Sequence, residues 1–280
     1  MYTKIETITP ERAKAILENN PDNRRIRNDW VATLVREMKN GTFVCTHQGI
    51  AISEDGRVLD GQHRLVACAL SGCPITVSVT YDMPLNYMEY VDTGIARKYS
   101  DQAKLIGKHD DDPVLRHSMT TGFVRALFSL GYNSAIKLSF SEIDAFIEKH
   151  RDAVLTVAKN MKRGGSSSAI NAAALAAILC GESAKDINAF YRVFLQGDAS
   201  DSFGYNTAAA FNLSRQVLSA KAKHLTIGNK KLFNMTQNGI WQFLRNSSTV
   251  TTIKETKALR YPVEDILQEF VEAVTRDADA

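Results

Sequence analysis

The first third of the chain changes hydrophobic period several times, so it reads as a mixture of helices and strands. "ITPERAKAILENN" opens a helix with Thr9 as cap and Pro10 in the first turn, and it stops at Asn19-Asn20-Pro21. "NDWVATLVREMKNG" spaces Trp30, Leu34 and Met38 at i, i+4 and i+8 and ends on Gly41, which predicts an amphipathic helix with a glycine stop. "GIAIS" and "RVLD" are short strands joined by the turn "EDG". "HRLVACALSG" returns to helical spacing and closes on Gly72, and "PITVSVTYD" alternates as a half-buried strand. After the charged turn "HDDDP" at 109–113 the period is helical almost throughout, over 113–130, 140–160, 166–180, 184–196, 206–224, 230–246 and 262–276. The pattern predicts an α+β chain, a small mixed domain over 1–110 followed by an all-α domain over 111–280.

Composition adds little to this. A chain of 280 residues with 44% hydrophobic and 23% charged residues can bury a core without staples. Cys45, Cys68, Cys73 and Cys180 form no framework, which favours packed thiols in a reducing compartment. The N-terminus lacks the apolar stretch of a secretory signal, and the most apolar run, "AINAAALAAILCG", is too short to span a bilayer. The expected setting is cytoplasmic, with no membrane partner.

Charge is distributed unevenly. Residues 1–112 carry 14 Lys+Arg against 16 Asp+Glu, and residues 113–280 carry 20 against 15. Within 202–253 there is no acid, only Arg215, Lys221, Lys223, Lys230, Lys231 and Arg245, interleaved with Tyr205, Phe233 and Trp241. A basic helix pair is often no more than a solubility device, but acid-free basic sequence with aromatics also marks nucleic-acid contact. These six cations are the candidate DNA-binding residues.

The chemistry concentrates in "VLDGQHRLVA" at 58–67. Asp60, Gly61, Gln62, His63 and Arg64 fall where a strand hands over to a helix, and the first helical N–H groups have no partner inside the helix. The dipole favours an anion there. Gly61 permits close approach, Arg64 offers a fork of donors matched to phosphate, His63 can donate or shuttle a proton, and Asp60 can hold a metal ion or orient a nucleophile. The plainer reading is an N-cap, a turn glycine and a solvated first turn.

This stretch resembles the signature of the ParB/sulfiredoxin superfamily, in which a strand-turn-helix motif binds a nucleotide or other phosphate; the spelling Asp60-Gly61-Gln62-His63-Arg64 is similar to its DGQHR branch, linked to DNA modification and mobile elements. The order of elements over roughly 5–107 fits as well. The resemblance implies that Gly61, His63 and Arg64 contact phosphate and that Asp60 and Gln62 are branch-specific. "YVDTGIARKYS" is similar to a segment that follows this domain in phage ParB-like proteins, which adds Asp92, Thr93, Gly94 and Arg97 to the candidate nucleotide-binding set. The implied cofactor is a nucleoside triphosphate, ATP or CTP, with Mg²⁺. The implied catalytic residues are Asp60, His63 and Arg64, and the implied partner is DNA, with a homodimer as candidate assembly.

The sequence also departs from the family. Gln62 stands where sulfiredoxin carries its reactive cysteine, which argues against sulfinic-acid reduction. One arginine stands where the chromosome-partition proteins have two, with no helix-turn-helix signature, and His109, His117, His150 and His224 lack His-Asn-His nuclease spacing. Cys45, His47, Cys68 and Cys73 are wrongly spaced for zinc, so no metal ligand set is expected. NTP hydrolysis, nuclease chemistry, phosphotransfer to a small molecule or modified nucleotide, and a non-enzymatic DNA-binding or host-inhibitor role all remain open.

Overall fold

The computed structural model describes residues 1–19, 25–85, 98–161, 166–200, 202–245 and 251–276, the side chains of 275 and 276 excepted. It is a mixed structure of four strands and twelve α-helices among those residues. Two compact units emerge: Met1–Ala96 with Lys137–Ser141 and Val271–Ala280, and Arg97–Ile136 with Glu142–Phe270.

The first unit is a four-stranded sheet covered by three helices. Its strands are β1 (Tyr2–Ile8), β2 (Ile50–Ser53), β3 (Val58–Asp60) and β4 (Ile75–Met83), in the order β1-β4-β2-β3. β1 and β4 pair antiparallel, β4 and β2 parallel, and β2 and β3 antiparallel. The helices are α1 (Pro10–Glu18), α2 (Asn28–Lys39) and α3 (Gln62–Ser71). Ala13, Val31, Leu34, Met38, Leu65, Ala67 and Cys68 from the helices meet Ile8, Ile50, Ile52, Val58, Ile75, Val77 and Val79 from the sheet in one core. Thr9 caps α1 through the Arg12 N–H with Pro10 in the first turn, as its sequence predicts. The buried stripe of α2 runs through Val31, Leu34 and Met38, while Trp30 is 42% exposed; the stripe predicted through Trp30 is therefore rotated by one residue. β1 was not expected at all.

The second unit is helical: α4 (Tyr99–Leu105), α5 (Ser118–Gly131), α6 (Phe140–Lys149), α7 (Arg151–Asn160), α8 (Ser168–Leu179), α9 (Ala184–Tyr191), α10 (Thr207–Ala222), α11 (Asn229–Leu244) and α12 (Glu264–Arg276), whose first half belongs here. The run predicted as one helix over 140–160 breaks at His150, and the helix predicted over 184–196 ends in a π-turn at Arg192–Gln196. The Ala-rich segment is α8, with Ala169 through Ala177 all buried; a helix that is apolar all round belongs at the centre of a bundle, and alanines let neighbours approach closely. Its one buried amide, Asn171, accepts from the Tyr191 hydroxyl at 2.8 Å. No helix among the described residues is long and apolar enough to cross a membrane.

Candidate functional site

The handover from β3 to α3 is where the predicted residues meet. A register shift in the β2–β3 pair leaves Asp60 opposite Ala51 and Val58 opposite Ile52, so the strand turns as it ends. Gly61 follows at φ +89°, the left-handed region. A Cβ at this position would lie 2.8 Å from Ile50 Cγ1, 3.1 Å from Ile50 Cα and 3.2 Å from the Gly49 carbonyl oxygen. Gly61 is therefore required both for its dihedral and for the close passage of β2. Arg64, in the first turn of α3, donates from Nη1 to the same Gly49 carbonyl at 2.9 Å, which fixes the guanidinium against the rim of the sheet.

Three features make this mouth suited to an anion. Among the described residues, no acceptor takes the backbone N–H of Gln62 or Arg64. The cap residue is a glycine, so no side chain closes the helix start. Arg64 is half-buried, and among the described residues only its Nη1 is engaged, which leaves Nε and Nη2 as donors. Gln62 is 8% exposed, and among the described residues its enclosed Oε1 has no hydrogen-bond partner; as an acceptor it calls for a donor, not an anion. Leaving such an atom unpaired costs about 1–3 kcal/mol.

Two of the predicted roles change. Asp60 Oδ1 accepts the Gly61 N–H at 2.6 Å, so the carboxylate caps its own turn and retains one oxygen for other work. His63 is buried, and its Nε2 accepts the backbone N–H of Arg27 at 3.1 Å, at the residue that precedes α2. The imidazole thus ties the start of α3 to the start of α2, and Nε2 is an acceptor there rather than a proton donor to phosphate. Asp92, Thr93, Gly94 and Arg97 lie outside the described residues. Cys68 is fully buried, with its thiol directed to the carbonyls of Cys73 and Ile8; burial pushes it up to about 11, the state of a packed and unreactive thiol. Among the described residues no three His, Cys, Asp or Glu side chains gather as metal ligands.

The predicted DNA-binding residues separate into three groups. Arg215 on α10, Lys223 just after it and Lys231 on α11 line one groove of about 790 Å³, together with Lys254, which the sequence reading had not singled out. Leu225, Ile227 and Met235 supply apolar lining, and Glu255 is the one acid among the described lining residues. Helix α11 begins at Gly228 without a side-chain cap and carries Lys230 and Lys231, but no acid, in its first turn. Cations there oppose the helix dipole, a local conflict that a bound anion relieves. Lys221 and Lys230 are exposed but do not line the groove.

Arg245 is occupied elsewhere. It binds Glu182 at 2.8 Å and lies 5.3 Å from the Trp241 ring centroid, with Arg260 at 4.1 Å from the same ring. The Glu182 carboxylate pushes the Arg245 pKa up. The interleaved aromatics are likewise committed to packing: Phe233 is fully buried, and Tyr205 stacks on Phe243 at 4.8 Å while donating to Asp186. The aromatic part of the nucleic-acid signal is therefore structural.

One wall of the groove is held by side-chain amides. Gln216 on α10 bonds both the N–H and the C=O of Ile253, at 2.9 and 3.1 Å. On α11, Asn234 does the same for Thr256, Gln237 for Tyr261, and Asn238 takes the Lys254 carbonyl. An amide that both donates and accepts substitutes for a neighbouring strand, so 253–261 is fixed without forming one. The signal was present as Asn234, Gln237 and Asn238 at i, i+3 and i+4. No family model matches the chain, and no curated protein or solved structure matches it.

Proposed function

We propose that the first unit is a ParB/sulfiredoxin-like domain that binds a nucleoside triphosphate at the start of α3, and that the second unit engages the phosphate backbone of nucleic acid along the groove between α10 and α11. The observation that carries the first part is the pair of N–H groups at Gln62 and Arg64, without an acceptor among the described residues, beside a guanidinium fixed to Gly49. Two main-chain donors and a fork of side-chain donors match the oxygens of a phosphate. If Mg²⁺ accompanies the ligand, the remaining oxygen of Asp60 suits it, because this ion is commonly bound through one carboxylate, the ligand's own phosphates and water. The second part is supported by four cations and one acid around a groove with a fixed wall.

Binding is favoured over turnover by the role of His63. With Nε2 already accepting the Arg27 N–H, that nitrogen is not free to relay a proton, and a phosphotransferase reading loses its leading acid-base candidate. The test is a thermal-shift panel of ATP, CTP, GTP, pyrophosphate and a short oligonucleotide, each with and without Mg²⁺. A ligand at about a hundred times its dissociation constant adds about 2.7 kcal/mol, which moves the midpoint by several degrees. A flat response to every triphosphate and to pyrophosphate rejects the α3 site; a flat response to the oligonucleotide at low salt rejects the groove.

A further inference from the structure

Among the described residues β1 lies at the outside of the sheet, with β4 on one side only. Its seven residues pair with β4 one for one, from Tyr2 opposite Tyr81 to Ile8 opposite Ile75, without a register shift. Tyr2, Thr3, Lys4, Ile5 and Thr7 are exposed, and Ile5 is 73% exposed. The strand at the opposite edge, β3, is three residues long and pairs through a register shift, so it offers little to a neighbour. An edge as long and regular as β1 is a template for another strand, and proteins ordinarily blunt it with a bulge, a proline or an unmatched charge.

The residues of β1 match a second copy of themselves. The outward N–H and C=O groups of an edge strand belong to alternate residues, so two antiparallel copies can oppose only residues of the same parity. A two-fold axis through Lys4 would set that residue against its counterpart, and an axis through Glu6 would do the same with carboxylates; like charges directly opposite are destabilising. An axis through Ile5 opposes Lys4 to Glu6, Thr3 to Thr7 and Tyr2 to Ile8, and brings the two exposed Ile5 side chains together. We propose that β1 pairs antiparallel with β1 of a second copy of this chain, centred on Ile5, joining two four-stranded sheets into one. About six to eight main-chain hydrogen bonds close the contact, two for each hydrogen-bonded residue pair. Lys4, the kind of charge that protects an edge in a monomer, here fixes the register.

Light scattering coupled to size exclusion tests this on the full chain. The wild type should run at about twice 31.0 kDa. Ile5→Lys, which sets two ammonium groups at the axis of an otherwise exposed position, should convert it to a monomer that keeps the wild-type circular-dichroism spectrum and still melts cooperatively. Lys4→Glu, which opposes carboxylates at two places, should raise the dimer dissociation constant at least tenfold and serves as the second variant if Ile5→Lys does not fold. A wild type that is monomeric at tens of micromolar overturns the proposal, and so does a dimer that survives both substitutions. Neither outcome bears on nucleotide binding at α3.

Discussion

Replacing Gly61 with alanine separates the tight strand-to-helix turn from an ordinary helix start by the sign of its effect. If the residue had ordinary helical dihedrals and open space, Gly→Ala would stabilise the protein by about 0.4–1 kcal/mol by restricting the unfolded chain. At φ +89° a Cβ instead costs about 1–2 kcal/mol in backbone strain. The same Cβ would sit 3.1 Å from Ile50 Cα and 3.2 Å from the Gly49 oxygen, backbone atoms of a segment held by the Ile50–Val79 pairing, so the neighbours cannot simply move aside. Overpacking of this kind adds about 1–3 kcal/mol, for a total of about 2–5 kcal/mol. The two tryptophans allow each unit to be followed separately, since Trp30 lies in the first and Trp241 in the second. Urea unfolding in a Trp241→Phe background, read at Trp30, should show the midpoint falling with the slope unchanged. A Gly61→Ala protein as stable as its parent, or more so, would refute both the left-handed turn and the close passage of β2.

Three further outcomes follow from the second unit and its groove. Gln237→Leu leaves the N–H and C=O of buried Tyr261 unpaired and should cost about 2–5 kcal/mol, read as a lower urea midpoint at Trp241. His150 is held below the ordinary imidazole pKa by burial and by Lys149, so the folded state resists a proton that the unfolded state accepts. Its contribution is present above about pH 6.5 and lost as pH falls below it; His150→Leu should therefore lose less stability than wild type between pH 7.5 and 5.5, and equal losses would count against this account. Lys223→Ala with Lys231→Ala should lower the slope of log affinity against log salt for an oligonucleotide by about 2 in a fluorescence-anisotropy titration, whereas an unchanged slope places the nucleic acid elsewhere.

Much of this architecture was legible where local chemistry and tertiary structure agree. Thr9-Pro10, the "EDG" turn, the glycine stop at Gly72 and the Asp60–Arg64 junction each carry their own backbone signal, and the structure contains each of them. β1 was hidden because Lys4 and Glu6 alternate onto the same side of the strand as buried Ile8, which erases the apolar period; Glu6 is accommodated by Arg12 and the Tyr81 hydroxyl, partners the sequence does not bring together. Trp30 misled because a large apolar residue at helical spacing looks like core, while the buried face is set one residue on by Val31. For the candidate site, the residue types were visible but their commitments were not. That His63 serves Arg27, that Arg245 serves Glu182, and that Trp241 is flanked by two arginines are properties of packing at long sequence separation. The strap at 253–261 was missed for the same reason, since amides that imitate backbone leave no hydrophobic period.

Calorimetric titration of the wild type and Arg64→Ala with CTP and with ATP, in Mg²⁺, bears most directly on the phosphate site proposed at the start of α3. Losing the bond to Gly49 should cost only about 0.5–1.5 kcal/mol of fold stability. The predicted result is one triphosphate per wild-type chain and an affinity at least tenfold weaker in a variant that still unfolds cooperatively. Equal affinities in the two proteins, or no heat from either triphosphate with the wild type, would contradict it.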